Sequence, residues 1–599
     1  MKTGPAFPDY IRTEKVRRRN QNFLRESYSM RGLFIPLVLV VSVAILFIRL
    51  FFLQIVKGKY YRDLSDNNRI RAITIHAQRG IIFDRDGKPL VFNIPGFRQT
   101  INGKTRVIDN TEALSLIAQG KKNLEIDSLR SYPYKDIFAH SLGYIGQIFE
   151  EELSLPSFTN YNAGDLIGKM GIERKFESKL KGIDGESLVE VDSQGNEVRK
   201  LGQKDSIPGN NITLTIDTEM QKAVFAAMER VKKGAAIVSK PNGEILALIS
   251  KPSFDPNLFT MSESYVATQS SYKNIDQILL DEESQPLINR AMQGTYPPGS
   301  TFKIIVAAAG LENKIIDENF TVEDSGVLRV GDFSFSNWYF TQYGKTDGMV
   351  NVVKAIKRSN DIFFYKLGEL VGVDELSLFA EKFGLGQTLG IDLLGEEKGI
   401  LPSSSWKKRA IGEQWYLGDT YHYGIGQGFL LVTPLQVNFW TAVIANGGTL
   451  YQPRLLKNTT NATNTTNKPI RKNFLSDKTI SLIRQGMFES CNPGGVAWPL
   501  FKLKIKNEKL KIDGRNFMEV TEGSASAQFK DYRKISIACK TGTAEHGGKE
   551  TLPHAWITLF APAYDPQIVI TVLSESSGEG SNIAAPIAKK ILDHYFGKK

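Results

Sequence analysis

Cysteine is scarce in this chain of 599 residues, which has only Cys491 and Cys539. The two do not form a C-x-x-C pair, so their spacing argues against a zinc finger or a dithiol redox site. Cys539 lies on an expected strand, where a small apolar side chain would face the core. A disulfide between the two needs close Cα atoms and an oxidising compartment, and the sequence alone leaves this open.

Long apolar segments are also missing, with one exception near the N-terminus. Residues 32–48 carry no charge, and the apolar run resumes at Leu50 after Arg49. Together they are long enough to cross a bilayer, and Arg49 can extend its side chain to the interface. A cleaved signal peptide is the alternative, but small residues usually follow its apolar core, whereas here Phe51 and Phe52 follow. We therefore predict an uncleaved anchor at 32–56.

Acidic residues are the minority in the segment before this anchor, and in the whole chain, whose formal net charge is +11. Because basic residues favour the cytoplasmic side, residues 1–31 are predicted to be a cytoplasmic tail and everything after the anchor to lie outside. No recognition helix, zinc finger or aromatic–basic RNA motif is present, so no nucleic-acid partner is predicted. We interpret the charge as a contribution to solubility together with affinity for an anionic membrane or wall. The basic residues of the tail are Lys2, Arg12, Lys15, Arg17, Arg18, Arg19, Arg25 and Arg31, against Asp9, Glu14 and Glu26.

The remaining composition is that of a folded protein, with 41% hydrophobic and 23% charged residues. The length predicts two or three domains. Residues 57–212 are mixed and turn-rich, and 79–87 within them indicate a strand, a D-x-D-G turn and a second strand. Arg79 and Asp84 are expected to form an ordinary ion pair in that hairpin. The one clear low-complexity stretch, 458–467, is interpreted as a solvated loop.

Residues 213–599 indicate a second folded region. An alternating run at 213–217 predicts a strand, 221–231 has helical periodicity, and Asn242-Gly243 predicts a hairpin turn. Strands at both ends with helices between them predict an α+β domain built on an antiparallel sheet. Three further strands and a last helix are predicted at 535–540, 555–560, 568–573 and 583–596.

Tyr296-Pro297-Pro298-Gly299 stands directly before Ser300, and Lys303 follows three residues later. The prolines disfavour helix upstream and the glycine permits a tight turn, so a helix is predicted to begin near Ser300. Residues three apart share a helix face, which brings Lys303 within reach of the Ser300 hydroxyl. A serine hydroxyl needs such a base to act as a nucleophile. Alone, however, this pattern is more typical of a helix N-cap and a surface lysine.

Two further motifs follow in order. Ser359-Asn360-Asp361 alone would indicate a helix cap or turn, and Lys540-Thr541-Gly542-Thr543 alone a strand end. The ordered set S-x-x-K, S-x-(N/D), K-T-G is that of penicillin-binding proteins and serine β-lactamases. The chain resembles this superfamily, and more closely the membrane-anchored class B penicillin-binding proteins, over most of its length from Arg79 onward.

Further stretches carry the same resemblance. Residues 79–87, 168–173 and 182–186 resemble motifs of the class B non-catalytic domain. They imply an extended, β-rich pedestal at 57–212, followed by a transpeptidase domain at 213–599 in which helices flank an antiparallel sheet. Residues 415–420 and 296–299 resemble the elongation-specific penicillin-binding protein 2 more than its division-specific paralogue.

The resemblance implies catalytic roles for five residues. Ser300 would attack a carbonyl and Lys303 would take its proton, while Lys540 would lower the Lys303 pKa. Ser359 would relay protons to the leaving amine. Asp361 stands where the commonest pattern has Asn, although penicillin-binding protein 2-like members often carry Asp. Because an ionised Asp361 beside Lys303 would weaken the lysine as a base, we predict that it pairs mainly with Lys540 or is partly protonated.

The resemblance also implies how substrate is bound. Thr541 and Thr543 would offer hydroxyls to its carboxylate, Gly542 would let it pass close to the strand, and Asn360 is included among the substrate-binding residues. The backbone N–H groups of Ser300 and Thr543 would form the oxyanion hole. No cofactor is implied. Residues 322–357 contain neither His nor Cys, so the metal site that some relatives carry there is not expected.

The implied activity is that of a peptidoglycan D,D-transpeptidase, with a D-Ala-D-Ala stem peptide as donor, an amine as acceptor and β-lactams as inhibitors. A D,D-carboxypeptidase or β-lactamase-like hydrolase is the first alternative, and a β-lactam sensor or inactive scaffold is the second. No glycosyltransferase domain precedes the pedestal, so a membrane partner of the SEDS type is expected to polymerise glycan. The implied location is the bacterial cytoplasmic (inner) membrane, with the catalytic domain in the periplasm.

Overall fold

A computed structural model describes most of the chain after its first 29 residues. The predicted basic tail at 1–31 lies almost wholly outside the described residues, and the predicted loop at 458–467 lies outside them entirely. The described residues fall into two units, one with residues up to 73 and 186–204, the other with 74–185 and 205 onward. The described ranges are 30–101, 104–120, 124–192, 197–261, 265–457, 468–500, 504–506, 532–548 and 551–597.

One apolar helix dominates the first unit. It runs over Met30–Phe51 and continues as a π-helical turn over Phe52–Val56. The stretch Phe34–Val56 has a mean hydropathy of 2.7 and is the one helix among the described residues that is long and apolar enough to cross a membrane. This helix fits the predicted single-pass anchor.

The rest of the first unit is a helix followed by a small sheet. The helix is Gly58–Arg69, and the sheet contains Ile70–Ile75, Gly185–Val191 and Glu197–Lys204 in that order. Glu190 of the middle strand accepts a hydrogen bond from Arg199 Nε over 2.5 Å and also pairs with Arg69. This carboxylate therefore links the helix end to the sheet.

Residues 74–185 and 205–213 of the second unit are β-rich, as predicted for the pedestal. The long strand Pro89–Ile101 pairs antiparallel with three neighbours, and Ile212–Thr213 adds a parallel pairing to Ile82–Phe83. The strands of this segment are Ile82–Phe83, Pro89–Ile101, Lys104–Ile108, Leu124–Ser131, Ile145–Gln147, Leu166–Gly168 and Ile212–Thr213. Its helices are Asn110–Ala118, Ala139–Leu142, Glu150–Leu153, Gly171–Lys175 and Glu177–Leu180, with 3₁₀ turns at Lys135–Ile137 and Pro156–Phe158.

The predicted hairpin at 79–87 forms, but its predicted ion pair does not. Asp84 accepts hydrogen bonds from the backbone N–H groups of Asp86 and Lys88, as an Asp at the start of a turn commonly does. Its other oxygen accepts from the Thr218 hydroxyl. The predicted Arg79–Asp84 pair is therefore wrong.

Arg79 instead belongs to a buried ionic cluster around Glu173. Arg79 Nε donates to Glu173 Oε2 over 2.7 Å, and Arg130 Nε donates to Glu173 Oε1 over 2.8 Å. Arg79 also donates to Glu177. Burial by itself would raise the pKa of Glu173, but Arg130 and Arg79 hold that pKa below its usual value, so the carboxyl is ionised at neutral pH.

The transpeptidase region contains the predicted antiparallel sheet. Its strand order is Ile245–Lys251, Gly234–Ser239, Ile568–Ser574, His554–Ala561, Ala538–Ala544. The first two strands form the hairpin predicted from Asn242-Gly243, and the last three strands lie within a few residues of their predicted positions. The predicted strand at 213–217 is shorter, because Asp217 accepts from the N–H groups of Glu219 and Met220 and so begins a helix.

Both faces of this sheet are covered. In Gly234–Ser239 all residues are buried, and alternate side chains enter two different apolar clusters, as the strand period of two requires. Ala235 and Ile237 pack in the cluster that contains the helix Lys303–Glu312, whereas Ala236 and Val238 pack with the C-terminal helix Ala584–Gly597. The first face is the one that carries the motif residues.

The remaining elements of this region surround the sheet. The helices are Thr218–Ala227, Ile275–Leu279, Lys303–Glu312, Trp338–Tyr343, Val352–Arg358, Asp361–Val371, Val373–Lys382, Ser404–Ala410, Leu417–Gly424, Pro434–Asn446, Asp477–Ser490 and Ala584–Gly597. Two-stranded pairs are Thr321–Asp324 with Gly348–Asn351, Val327–Val330 with Phe333–Ser336, Leu450–Tyr451 with Pro469–Arg471, and Lys504–Lys506 with Tyr532–Lys534. Turns of 3₁₀ helix lie at Pro256–Phe259, Gly299–Thr301 and Trp498–Leu500.

We predict that Glu173→Gln destabilises the second unit by about 3–5 kcal/mol, because it leaves the buried Arg130 guanidinium without its carboxylate and takes one of two carboxylates from Arg79. Thermal or chemical unfolding of the full chain in detergent measures the change. Glu150→Gln is the matched control, since Glu150 is an exposed carboxylate in the same segment. Equal unfolding midpoints for the two variants would contradict a stabilising role for the cluster.

Candidate active site

Ser300 lies on a tight turn at the start of a helix, as predicted. The turn is the 3₁₀ segment Gly299–Thr301, and the α-helix Lys303–Glu312 follows it. Gly299 has a φ of +53° and its N–H donates to the Gly426 carbonyl over 2.9 Å. Glycine adopts this left-handed conformation readily, so the turn can place the partly buried Ser300 at the N-terminal end of the helix.

This turn packs directly on the sheet strand Ala538–Ala544. A Cβ added to Gly299 would lie 2.8 Å from the Thr543 carbonyl oxygen, and one added to Gly542 would lie 2.9 Å from the Pro298 carbonyl oxygen. Neither position has room for a side chain. The two segments predicted to supply the oxyanion-hole N–H groups, at Ser300 and Thr543, are therefore in contact.

Two fully buried ammonium groups converge on Ser359. Lys540 Nζ donates to Ser359 Oγ over 2.8 Å, and Lys303 Nζ donates to the Ser359 carbonyl over 2.8 Å while lying 3.5 Å from its Oγ. Ser359 follows the helix Val352–Arg358 with a φ of +56°, which few residues other than glycine adopt. The three motifs, far apart in sequence, thus meet at one hydroxyl.

Asp361 pairs with Lys303 and not with Lys540. Lys303 Nζ donates to Asp361 Oδ1 over 2.6 Å, whereas Lys540 Nζ is directed to Ser359 Oγ and to the Thr541 carbonyl. The predicted pairing with Lys540 is therefore wrong. Asp361 is the first residue of the helix Asp361–Val371, and from there its carboxylate reaches Lys303 Nζ.

Burial lowers the pKa of both lysines, and their neighbours act in opposite directions. Asp361 raises the pKa of Lys303 and so opposes the effect of burial. The Lys303 ammonium lowers the pKa of Lys540 further, and Asp361 partly offsets this. Since two adjacent buried ammonium groups repel each other, the site favours the loss of one proton from the lysine pair.

The side chain of Asn360 is engaged in hydrogen bonds within the protein, and its predicted contact with substrate stays a prediction. Asn360 is fully buried, and its Oδ1 accepts from the Phe363 N–H over 2.9 Å. Its Nδ2 donates to Asp324 over 2.9 Å. An Asn directly before a helix is a common N-cap, and that is the role of Asn360 here.

The Lys-Thr-Gly strand lies at the edge of the sheet. It pairs with His554–Ala561 on one side, and no strand in the described part of the chain pairs with its other side. Thr541 is buried and Thr543 is exposed. A free strand edge can bind an extended peptide as an additional strand. Substrate contacts by Thr541, Gly542 and Thr543 stay a prediction.

Trp338 makes two hydrogen bonds to the second-motif region that the sequence did not predict. The backbone N–H of Trp338 donates to Asp361 Oδ2 over 2.9 Å, and the Trp338 indole N–H donates to the Arg358 carbonyl over 3.0 Å. Both bonds flank Ser359. A backbone N–H carries no residue signature, so only the folded chain reveals this support.

Comparison with known proteins identifies the family. Residues 234–593 match the penicillin-binding protein transpeptidase domain, and residues 121–214 match the penicillin-binding protein dimerisation domain. The chain belongs to the penicillin-binding protein family. The predicted resemblance to class B members, and among them to penicillin-binding protein 2, is confirmed by the relatives that follow.

The peptidoglycan D,D-transpeptidase MrdA of Acinetobacter baumannii is 32% identical to this penicillin-binding protein, over 95% of this chain and 88% of the relative. PBP2 of Pseudomonas aeruginosa, solved in complex with WCK 5153, is 32% identical, covers 88% of this chain and 96% of its own, and superposes with a TM-score of 0.66. A chain from a peptidoglycan synthase complex that coordinates polymerization and crosslinking is 26% identical, covers 95% of this chain and 99% of its own, and has a TM-score of 0.68.

A disulfide adjoins the site in this penicillin-binding protein and settles the pairing that the sequence left open. Cys491 and Cys539 are bonded, with Cα atoms 5.9 Å apart. Cys539 directly precedes Lys540, and Cys491 directly follows the helix Asp477–Ser490. That helix packs on the helix Val352–Arg358, which directly precedes Ser359. A Cβ on Gly486 would lie 2.7 Å from Ile356 Cβ. The bond therefore connects the strand that carries Lys540 to the helix that supports Ser359.

We predict that reduction of this disulfide lowers the stability of the penicillin-binding protein by about 4 kcal/mol, because the bond closes a loop between residues 48 positions apart. Thermal unfolding of the full chain, with and without a reductant, measures the effect. The double variant Cys491→Ser, Cys539→Ser is the control and should not respond to the reductant. An oxidised wild type that unfolds at the same temperature as the reduced protein would contradict the prediction.

Proposed function

We propose that this protein is a peptidoglycan D,D-transpeptidase that cross-links stem peptides during cell-wall elongation, through an acyl-enzyme on Ser300. The observation that carries the proposal is the convergence of Lys303 and Lys540 on Ser359, beside the Ser300 turn and a free strand edge. Acyl transfer needs a nucleophile, a proton shuttle and an oxyanion hole, and these segments can supply all three.

In the first half of the reaction, Ser300 Oγ attacks the carbonyl between the two D-alanines of the donor. Its proton passes to the neutral amine of Lys303, and the backbone N–H groups of Ser300 and Thr543 stabilise the developing oxyanion. The proton then passes through Ser359 to the nitrogen of the terminal D-Ala. The C–N bond breaks, D-Ala leaves, and the peptide remains as an ester on Ser300.

In the second half, an amine of a neighbouring stem peptide attacks this ester. A new amide bond forms, the ester C–O bond breaks, and a proton of the amine returns to Ser300 Oγ. A β-lactam mimics the donor, but the opened ring keeps its leaving group attached to the acyl part, so the ester persists. The donor would extend along the free strand edge, with its terminal carboxylate near Lys540 and the hydroxyls of Thr541 and Thr543.

We also propose the arrangement of the chain at the membrane. Residues 1–31 are a cytoplasmic tail, 32–56 an anchor in the inner membrane, 57–212 a pedestal and 213–599 a periplasmic transpeptidase domain. The basic residues before the anchor and the apolar helix support this orientation. The spans of the two matching families, 121–214 and 234–593, support the division between pedestal and transpeptidase domain.

The partner is proposed to be a multispanning glycosyltransferase of the SEDS type, contacted through the anchor and pedestal. The proposed chemistry joins peptides and polymerises no glycan, so a glycosyltransferase partner would complement it. The relative solved within a peptidoglycan synthase complex supports such a pairing.

We predict that a fluorescent penicillin labels the purified full-length protein covalently and that Ser300→Ala abolishes the label, because the ester forms on that hydroxyl. Gel fluorescence after denaturation measures the label. Ser325→Ala, at an exposed serine in the same domain, is the control and should be labelled like the wild type.

Other outcomes of the labelling would point elsewhere. A label that forms on Ser300 and is lost within minutes would indicate a β-lactamase-like hydrolase. No label on the folded wild type would contradict the proposed reaction and favour an inactive scaffold. Release of D-Ala with formation of cross-linked dimer, from stem-peptide substrate and acceptor, distinguishes transpeptidation from carboxypeptidation and from β-lactam sensing.

We predict that Asp361→Asn moves the acidic limb of the pH–acylation profile to lower pH. Asp361 raises the pKa of Lys303 against the lowering effect of burial, so its neutralisation lets Lys303 lose its proton at a lower pH. The measurement is the second-order rate constant of penicillin acylation between pH 5 and about 9. Asp332→Asn, at an exposed turn, is the control. A limb that stays in place or moves to higher pH would mean that Asp361 does not set the basicity of Lys303.

A further inference from the structure

A buried carboxylate outside the three motifs lies behind the Ser359–Asp361 turn. Asp324 ends the strand Thr321–Asp324 and is 3% exposed. Its Oδ1 accepts from the Gly326 N–H over 2.8 Å. Its Oδ2 accepts three hydrogen bonds, from Asn337 Nδ2 and the Asp347 N–H, each over 2.8 Å, and from Asn360 Nδ2 over 2.9 Å.

Two of these donors lead directly to the second motif. Asn360 is its middle residue, and the bond to Asp324 holds the side chain that caps the helix Asp361–Val371. Asn337, fully buried, uses its Oδ1 to accept from the Asp361 N–H over 3.2 Å. The residue after it, Trp338, donates its own N–H to Asp361 Oδ2. Asn337, which Asp324 binds, and the adjacent Trp338 therefore orient both the backbone and the carboxylate of Asp361.

The third donor leads to the other side of the same turn. Asp347, whose N–H binds Asp324, accepts through its Oδ1 from Arg358 Nε over 2.9 Å. Arg358 directly precedes Ser359. Asp324 is thus connected by hydrogen bonds to the residues on both sides of Ser359.

The Ser359 turn needs such support because its conformation is unfavourable. Ser359 has a φ of +56°, and residues other than glycine hold such a conformation only where surrounding contacts enforce it. All four groups that face Asp324 are N–H donors, so a residue with two acceptor oxygens can satisfy them and an apolar residue would leave them unpaired.

We infer that Asp324 is a positioning residue for acyl transfer, which fixes Ser359 and Asp361 relative to Lys303 and Lys540 without touching the substrate. The inference rests on the proposed function. It predicts that the loss of Asp324 slows the acylation step itself, because a small displacement of the proton-transfer groups reduces their efficiency steeply. Binding of the β-lactam before acylation should change little.

The test compares Asp324→Ala, Asp324→Asn and Asp392→Ala in the full-length protein. Stopped-flow acylation by a fluorescent penicillin, over a range of concentrations, separates the dissociation constant of the encounter complex from the acylation rate constant. Asp392 is the matched control, since it also accepts two backbone N–H groups, those of Leu455 and Leu456, away from the motif. Thermal unfolding is recorded for each variant.

We expect Asp324→Ala to lower the acylation rate constant by roughly 10–100-fold with a dissociation constant within about twofold of wild type. Asp324→Asn should lie between, because its amide oxygen can still accept from the three donors that meet at Oδ2. Asp392→Ala should lose stability but keep the acylation rate. A folded Asp324→Ala variant that acylates like the wild type overturns the inference.

If Asp324→Ala does not fold, Asn337→Ala decides the question, because it removes one donor to Asp324 and the acceptor for the Asp361 N–H. A slower acylation step in that variant supports the inference, and an unchanged one overturns it. A wild type that is not acylated at all refutes the proposed function. A wild type that is acylated, with Asp324→Ala and Asn337→Ala acylated equally fast, overturns only the inference about Asp324.

Discussion

The site depends on the burial of two ammonium groups around one serine hydroxyl. Lys303 and Lys540 are both fully buried, and both donate to Ser359. Such charges are costly to remove from water unless acceptors surround them. Here the acceptors are the Asp361 carboxylate, two backbone carbonyls and Ser359 Oγ. Because Asp361 pairs with Lys303 and the two ammonium groups repel each other, the site favours the loss of one proton from the lysine pair.

Much of the domain serves to bring these groups together. Lys540 comes from the edge strand of the sheet, Lys303 from the helix packed on one face, and Ser359 from a turn between two helices. Because Gly299 and Gly542 have no side chains, the turn that carries Ser300 can approach the strand closely. A side chain at either position would force the two segments apart. The disulfide at Cys539 fixes the strand that carries Lys540, and the hydrogen bonds around Asp324 fix the turn at Ser359. These supports lie outside the cleft and leave its strand edge open to a peptide.

The parts that could be predicted are those with a local pattern. The apolar run predicted the anchor helix, Asn242-Gly243 predicted the hairpin, and the three motifs predicted which residues would meet. The errors have a common origin. Arg79 was assigned to Asp84, which is near in sequence, but its partners are Glu173 and Glu177 on distant helices. Asp361 was assigned to Lys540, but the turn after Ser359 directs it to Lys303. For Asn360 the structure adds a role that the motif did not indicate, because its side chain caps a helix.

The sequence by itself determined the family, the apolar N-terminal helix and the positions of most sheet strands along the chain, and it predicted Ser300 and Lys303 as nucleophile and base, because each of these has a signature in residue type and spacing. The tertiary structure decided which charges pair, that Asn360 caps a helix, that the two cysteines bond, and that Asp324 supports the Ser359 turn. Those features arise from contacts between segments far apart in the chain. The partner of a side chain in such a contact depends on distance and direction in the folded protein. The neighbouring residues in the sequence indicate neither.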